Sequence, residues 1–245
     1  MTVRRRVLIA AGTLVGVSLA ALVVLPLLFK DRIAVWARAE VERAADARVD
    51  WSGVGLTFFK NFPNLTLRLD HLTVVGNDPF AGDTLLSMRT FRLELAVRSL
   101  IRGLRGTGPI LVRSIQLDEP AVHLRVLDDG TANWDIAGRD AAAPGPTESS
   151  SRGLRVELRR LGITDGSVVL EDAQIGLYAS LVGLQHALSG DFSRERFAVR
   201  TRTHADATTL RFAAMPFLYG VALDLEADLD VDMARSRFSF AENAL

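Results

Sequence analysis

The chain contains no cysteine, which excludes disulfides, thiol nucleophiles and Cys-built zinc or iron–sulfur sites. It carries no net charge either, since 29 basic residues meet 29 acidic ones. A nucleic-acid binder needs an excess of basic residues as its electrostatic footprint, so that class is set aside. Histidine is scarce, and His71, His123, His186 and His204 show no metal-ligand spacing. There is no nucleotide loop of the Walker or dinucleotide type, and the glycines fall in turns or singly. Ser167, Ser180 and Ser189 lack the Gly-x-Ser-x-Gly setting of an exposed nucleophile. These absences predict a protein that is not an enzyme, with no catalytic residue, no metal and no cofactor.

What is present begins with a long hydrophobic run. Arg4, Arg5 and Arg6 precede an uncharged stretch from Val7 to Phe29, rich in Leu, Val and Ala. As a helix rising about 1.5 Å per residue it reaches roughly 35 Å, enough for a ~30 Å hydrocarbon core with some tilt. A signal peptide cut near Ser18-Leu19-Ala20 is the competing reading, but the apolar run continues well past that point. Residues 1–30 are therefore predicted to be a cytoplasmic N-terminus and a single-pass membrane anchor. The Arg triplet leaves the N-terminus cytoplasmic and the bulk of the chain outside the cytoplasm. Lys30 and Arg32, just past the span, soften that asymmetry. Residues 31–50 are predicted to be an amphipathic juxtamembrane helix, because Ile33, Trp36, Ala37, Val41 and Ala44 recur at helical spacing.

From Trp51 the period changes to two. Leu65, Leu67 and Leu69 alternate with Thr66, Arg68 and Asp70. Phe91, Leu93 and Leu95, then Val122, Leu124 and Val126, alternate with charged or polar neighbours in the same way. Each pattern is what a strand with one buried face requires. Gly76-Asn77-Asp78-Pro79 and Asp128-Asp129-Gly130 supply turns. Asp-Gly between two strands is a strong hairpin signal, which is preferred here to a metal loop. Alternation lapses over residues 99–104, where a short helical turn fits. Residues 51–137 form the first strand-rich region, and 138–153, with Pro144, Pro146 and three serines in a row, is a linker or long loop.

Residues 154–245 resume the strands, with Ile175 to Ser180, Phe197 to Asp206 and Thr208 to Ala213 strand-like. The cleanest case runs from Val221 to Asp232. Val221, Leu223, Leu225, Ala227, Leu229 and Val231 share one face, and Asp224, Glu226, Asp228, Asp230 and Asp232 lie on the other. Arg200, Arg202 and His204 give an earlier strand a basic face, so antiparallel pairing of the two is expected. Phe238-Ser239-Phe240 starts another strand close to Leu245, which predicts a truncated product or the N-terminal portion of a longer protein.

The fold class that follows is mainly β: an anchor and a short helix, then an extended, curved, mostly antiparallel sheet forming an apolar groove. A continuous apolar face must be covered or occupied, and few helices are predicted after residue 50 to cover it. Lipid acyl chains are the expected occupant, in contact with Leu65, Leu67, Leu69, Phe91, Leu93, Leu95, Val122, Leu124, Val126, Val221, Leu223, Leu225, Leu229 and Val231. The alternative is a non-enzymatic periplasmic assembly or scaffold protein that pairs with a partner through an open sheet edge. An outer-membrane barrel would also alternate, but the long apolar run at the N-terminus argues against it.

Three segments together carry a resemblance. Phe58-Phe59-Lys60-Asn61-Phe62-Pro63 precedes Leu65-x-Leu67-x-Leu69, Val75-Gly76 and Pro79-Phe80. Ile115-x-Leu117-Asp118-Glu119-Pro120 follows, and then Asp129-Gly130-Thr131-Ala132-Asn133-Trp134-Asp135. This order resembles the N-terminal region of the AsmA family over residues 1 to about 140. The resemblance implies an inner-membrane anchor and a periplasmic β-groove akin to bridge-like lipid-transfer proteins. It also implies a role in outer-membrane biogenesis, with outer-membrane assembly proteins as possible partners. In the Gly-x-x-Asn-Trp segment, Asp129 and Gly130 are expected to make a turn. Asn133 and Trp134 are expected to lock the following strand, with the indole packed inside. Members of that family are usually several times longer, so this chain is expected to form the membrane-proximal start of a groove, about 60 Å of stacked strands.

Overall fold

A computed structural model describes residues 47–57, 64–104, 110–136, 154–192, 195–213, 215–232, 235 and 237–240. The expected anchor at 1–30, most of the expected juxtamembrane helix and the linker at 138–153 lie outside the described residues. Among those described, no helix is long and apolar enough to cross a membrane.

The described chain is one sheet of eleven strands. They are β1 (Ala47–Asp50), β2 (Gly53–Thr57), β3 (Asn64–Gly76), β4 (Thr84–Ala96), β5 (Ile110–Asp118) and β6 (Ala121–Val126). β7 (Leu154–Asp172), β8 (Leu177–Gly190), β9 (Arg196–Phe212), β10 (Met215–Asp232) and β11 (Arg237–Phe240) complete it. The spatial order is β1-β3-β4-β5-β7-β8-β9-β10-β11, with β2 beside β3 and β6 between β4 and β7. β1 and β2 share one edge of β3, and β6 continues the line of β5 between the same neighbours. Nine strands lie on the main path, so the sheet measures about 40 Å across its strands, less than the roughly 60 Å expected from the sequence.

Most pairs are antiparallel, as expected, and β7 is the exception, running parallel to β5 and β6. A parallel neighbour needs a crossover connection, and the segment between Val126 and Leu154 supplies the length for one. Residues 47–50 correct the expected helix at 31–50. They form β1, antiparallel to β3 through Ala47↔Gly76 and Val49↔Val74. Ala47 and Val49 pack at one corner of the sheet against Val74, Leu85, Leu86, Leu124 and Ile136, and burying them there outweighs the helical spacing upstream. Ile175, expected to start a strand, instead lies in the turn before β8 and is half exposed.

The lapse in alternation after β4 is helix α1 (Val97–Leu104), the expected helical turn. It lies beside β4 and β5. Buried Ser99 ties it down, donating through Oγ to the Ala96 carbonyl at 2.6 Å and accepting from the Leu111 N–H at 2.9 Å.

A line of irregular residues crosses the sheet at one level. His71 in β3, Glu119 between β5 and β6, Asp165 in β7 and Gly183 in β8 all have φ between 51° and 65°. The pairings place them side by side: Thr90↔Asp118↔Thr164 lies on one side of the line, Ser87↔Ala121↔Ser167↔Val182 on the other. Apolar positions change parity across it. In β3 they pass from Leu65, Leu67 and Leu69 to Leu72 and Val74, and in β7 from Leu161 and Ile163 to Val168 and Leu170. A slip of one residue would otherwise flip every side chain to the other face. A left-handed, bulge-like residue in the strand takes one position out of the alternation and keeps the apolar set on one side.

Candidate functional site

The apolar positions join into rungs that run from strand to strand. Leu56, Leu67, Leu93, Ile115, Leu161, Leu188, Thr201 and Ala227 are successive partners across the sheet. The next rung is Val54, Leu69, Phe91, Leu117, Ile163, His186, Thr203 and Leu225. Beyond the irregular line, Val49, Val74, Leu86, Val122, Val168, Leu181, Thr208 and Val221 form a third. Directly paired residues in a ladder share a face, so each rung is a largely apolar row lying across the strands.

The residues expected to meet acyl chains fall on these rungs or beside them. Leu65 pairs Leu95, Leu67 pairs Leu93 and Leu69 pairs Phe91. Val122 and Leu124 join Val168 and Leu170, while Val126 sits opposite Asp172 near a turn. Leu223 pairs Ala205, and Leu229 and Val231 pair Val199 and Phe197. The rungs are uneven in cover: Leu65, Leu95 and Val231 are buried, whereas Val221 and Leu225 are about half exposed.

One ionisable side chain stands in the rungs. His186, between Ile163 and Thr203, has its Nδ1 2.9 Å from the Thr203 hydroxyl oxygen. Burial lowers its pKa from the ordinary imidazole value, favouring the neutral ring.

The opposite face is charged. The expected pairing of the basic and acidic strands is present in register, with His204↔Asp224, Arg202↔Glu226 and Arg200↔Asp228. Arg200 Nε lies 3.0 Å from Asp228 Oδ1, and Arg202 Nη2 2.6 Å from Glu226 Oε1. These partners raise the pKa of both arginines, first through the hydrogen bond and then through charge. His204 Nδ1 is 2.7 Å from Asp224 Oδ1 and Nε2 is 3.3 Å from Asp206 Oδ1. The bond to Asp224, then that to Asp206, raises the His204 pKa. Asp206 lies over Gly183, where an added Cβ would collide with the carboxylate. A side chain at 183 is therefore excluded on both spatial and conformational grounds.

The Asp-Gly segment is a turn, as expected. Gly130 has φ 85°, its N–H donates to the Leu127 carbonyl, and the Thr131 N–H donates to Asp129 Oδ1. That backbone bond from Thr131 holds the Asp129 pKa below the usual carboxylate value. Asn133 departs from the expected role. It is 2% exposed, accepts from the Arg125 N–H at 2.9 Å and donates to the His123 carbonyl at 2.7 Å. It thus locks the preceding strand β6, its side-chain amide standing in for a neighbouring strand's peptide group. Trp134 is corrected too: it is 43% exposed in the turn, not packed inside. Asn133 takes the inward position because its amide alone completes both β6 backbone groups, and the neighbouring indole then faces out.

Sequence reasoning missed the irregular line. Its only signal was the shift between odd and even apolar positions within β3, β4 and β7.

No family model, curated protein or solved structure matches this chain.

Proposed function

We propose that this chain is an inner-membrane-anchored periplasmic protein whose apolar sheet face holds or conducts phospholipid acyl chains in support of outer-membrane biogenesis. The observation that carries this reading is the set of apolar rungs. They cross the sheet from β2 to β8, and among the described residues no second sheet covers them. Rows of Leu, Val, Ile and Phe side chains over which the described residues lay no second sheet suit a flexible hydrocarbon, which fills irregular space without needing polar partners. Curvature of the sheet into a groove belongs to the same proposal, with the line from His71 to Gly183 as its crease. The role is non-enzymatic, and the resemblance to the AsmA family and the apolar run from Val7 to Phe29 support the location.

Site-specific photocrosslinking on the full chain in cell membranes tests it. A photoreactive phenylalanine at Leu161 or Leu188 should give phospholipid adducts, and one at Ala187 on the opposite face should give none. Adducts from neither face, or equally from both, would sink the lipid reading.

A further inference from the structure

The β9–β10 hairpin changes character along its length. At one end Arg196 and Asp232 face each other, with Nε 2.8 Å from Oδ2. Toward the other, no charged residue stands between Arg211 and Asp224. This charge-free tip exposes Phe212, Met215, Phe217, Leu218 and Tyr219, the last of them 83%. The β7–β8 turn adds exposed Ile175 beside it. The Ala213 N–H donates to the Gly176 carbonyl at 2.9 Å, which joins the two turns into one knob.

Most strands of the sheet alternate apolar and polar residues and so keep one polar face. The tip does not. Phe217, Leu218 and Tyr219 are consecutive and all exposed, so both faces of the strand present apolar surface. A protein partner covers one face and leaves the other in water, whereas a lipid interface surrounds both. Set back from the tip are Tyr219 and Arg211, residue types that sit at headgroup level, and Arg211 lies over the Tyr178 ring at 4.2 Å.

The pairings also bear on which membrane this is. Gly76, Val126, Leu177, Phe212 and Met215 lie at the same end of the sheet. Ala47, the first described residue, pairs with Gly76 there. Residues 30–46 link that point to the apolar run ending at Phe29. We propose that the β9–β10 tip, with Ile175 beside it, dips into the interfacial layer of the bilayer that holds the anchor, giving the sheet a second membrane contact. The contact stands on the knob itself, and its assignment to the anchor's bilayer rests on the function proposed above. A tip of two strands cannot span hydrocarbon with its backbone groups paired, so it lodges about 5–10 Å deep. Of the three apolar rungs, the one from Val49 to Val221 then lies nearest the lipid surface.

The chain has no cysteine, so a single one can carry a label. The test reconstitutes the full chain in phosphatidylcholine vesicles with bimane on Phe217→Cys, on Ser189→Cys toward the opposite end of the sheet, or on Ser18→Cys within the apolar run. Lipid spin-labelled near the top of the acyl chain should quench the label at position 217 about twofold or more and leave position 189 unchanged. Lipid spin-labelled near the methyl end should quench position 18 best, which reports the anchor separately. Quenching at 217 without quenching at 18 would keep the membrane contact and overturn the anchor. An unquenched label at 217 overturns the proposal whatever position 18 does, and a blue shift there would show that a protein segment covers the knob instead. Equal quenching at 217 and 189 would reveal nonspecific adsorption and overturn it as well.

Discussion

At the β1–β5 end of the sheet the apolar side chains cover one another, with Leu65, Leu95, Val74 and Val112 each no more than 8% exposed. At the β9–β10 end the same two-residue alternation leaves Val221, Leu223 and Leu225 open, and cross-strand ion pairs on the other face tie the strands together. The difference comes from the neighbours. Leu95 has β3 on one side and β5 on the other, each presenting Leu or Val. Leu225 has Thr203 on one side and nothing described on the other. Alternation therefore reports which way a side chain faces, and the strands beside it decide whether it is covered.

The sharpest way to break the comparison is to shorten one leucine at each end. Leu95→Ala should cost about 2–5 kcal/mol, as burial among large neighbours predicts. Leu225→Ala should stay within about 0.5 kcal/mol, as for an exposed position. Denaturant unfolding of both variants measures the gap, and equal losses would mean the β10 face is covered after all.

A smaller effect is expected where a polar lock serves the packed region. Asn133→Ala should cost about 1–3 kcal/mol, because the Arg125 N–H and the His123 carbonyl lose their partner beside a buried position. Asn133→Asp keeps the acceptor for Arg125 but not the donor for His123, and should fall between wild type and Ala on the same unfolding curves.

The smallest effect is electrostatic and has opposite signs at the two histidines. His204 has a raised pKa, so its contribution is full below the ordinary imidazole value and is lost as pH rises through the raised one. His186 has a lowered pKa, so its contribution is full above the ordinary value and is lost as pH falls through the lowered one. His204→Gln should therefore show its largest Tm deficit near pH ~5.5 and a shrinking one by pH ~8.5, and His186→Gln the reverse trend. Parallel curves for the two variants would refute the assignment.

Much of the sheet is legible in the sequence. The strands around Leu67, Leu93, Val122 and Leu223 show themselves by period two, and the facing charges of β9 and β10 announce their pairing. β7 is not legible in the same way. Thr164-Asp165-Gly166 has the composition of a turn between two strands, yet Asp165 takes φ 52° inside one continuous strand of 19 residues. Likewise Ala205-Asp206-Ala207 looks like a break, and β9 runs through it from Arg196 to Phe212. In both places neighbouring strands supply backbone partners, and that support overrides a local preference for turning. For the candidate site, the face each residue takes is readable. The inward turn of Asn133 is not, because it depends on the β6 backbone groups it completes.

By itself the sequence determined the period of the strands, the turn at Asp129-Gly130 and the match of basic to acidic residues between β9 and β10, since these depend on residues near one another or on simple alternation. Only the tertiary structure decided the parallel placement of β7, the level at which His71, Glu119, Asp165 and Gly183 line up, and the burial of Leu95 against the exposure of Leu225. Each of those depends on which strands become neighbours, and that is settled by the packing and backbone pairing of segments far apart in the chain.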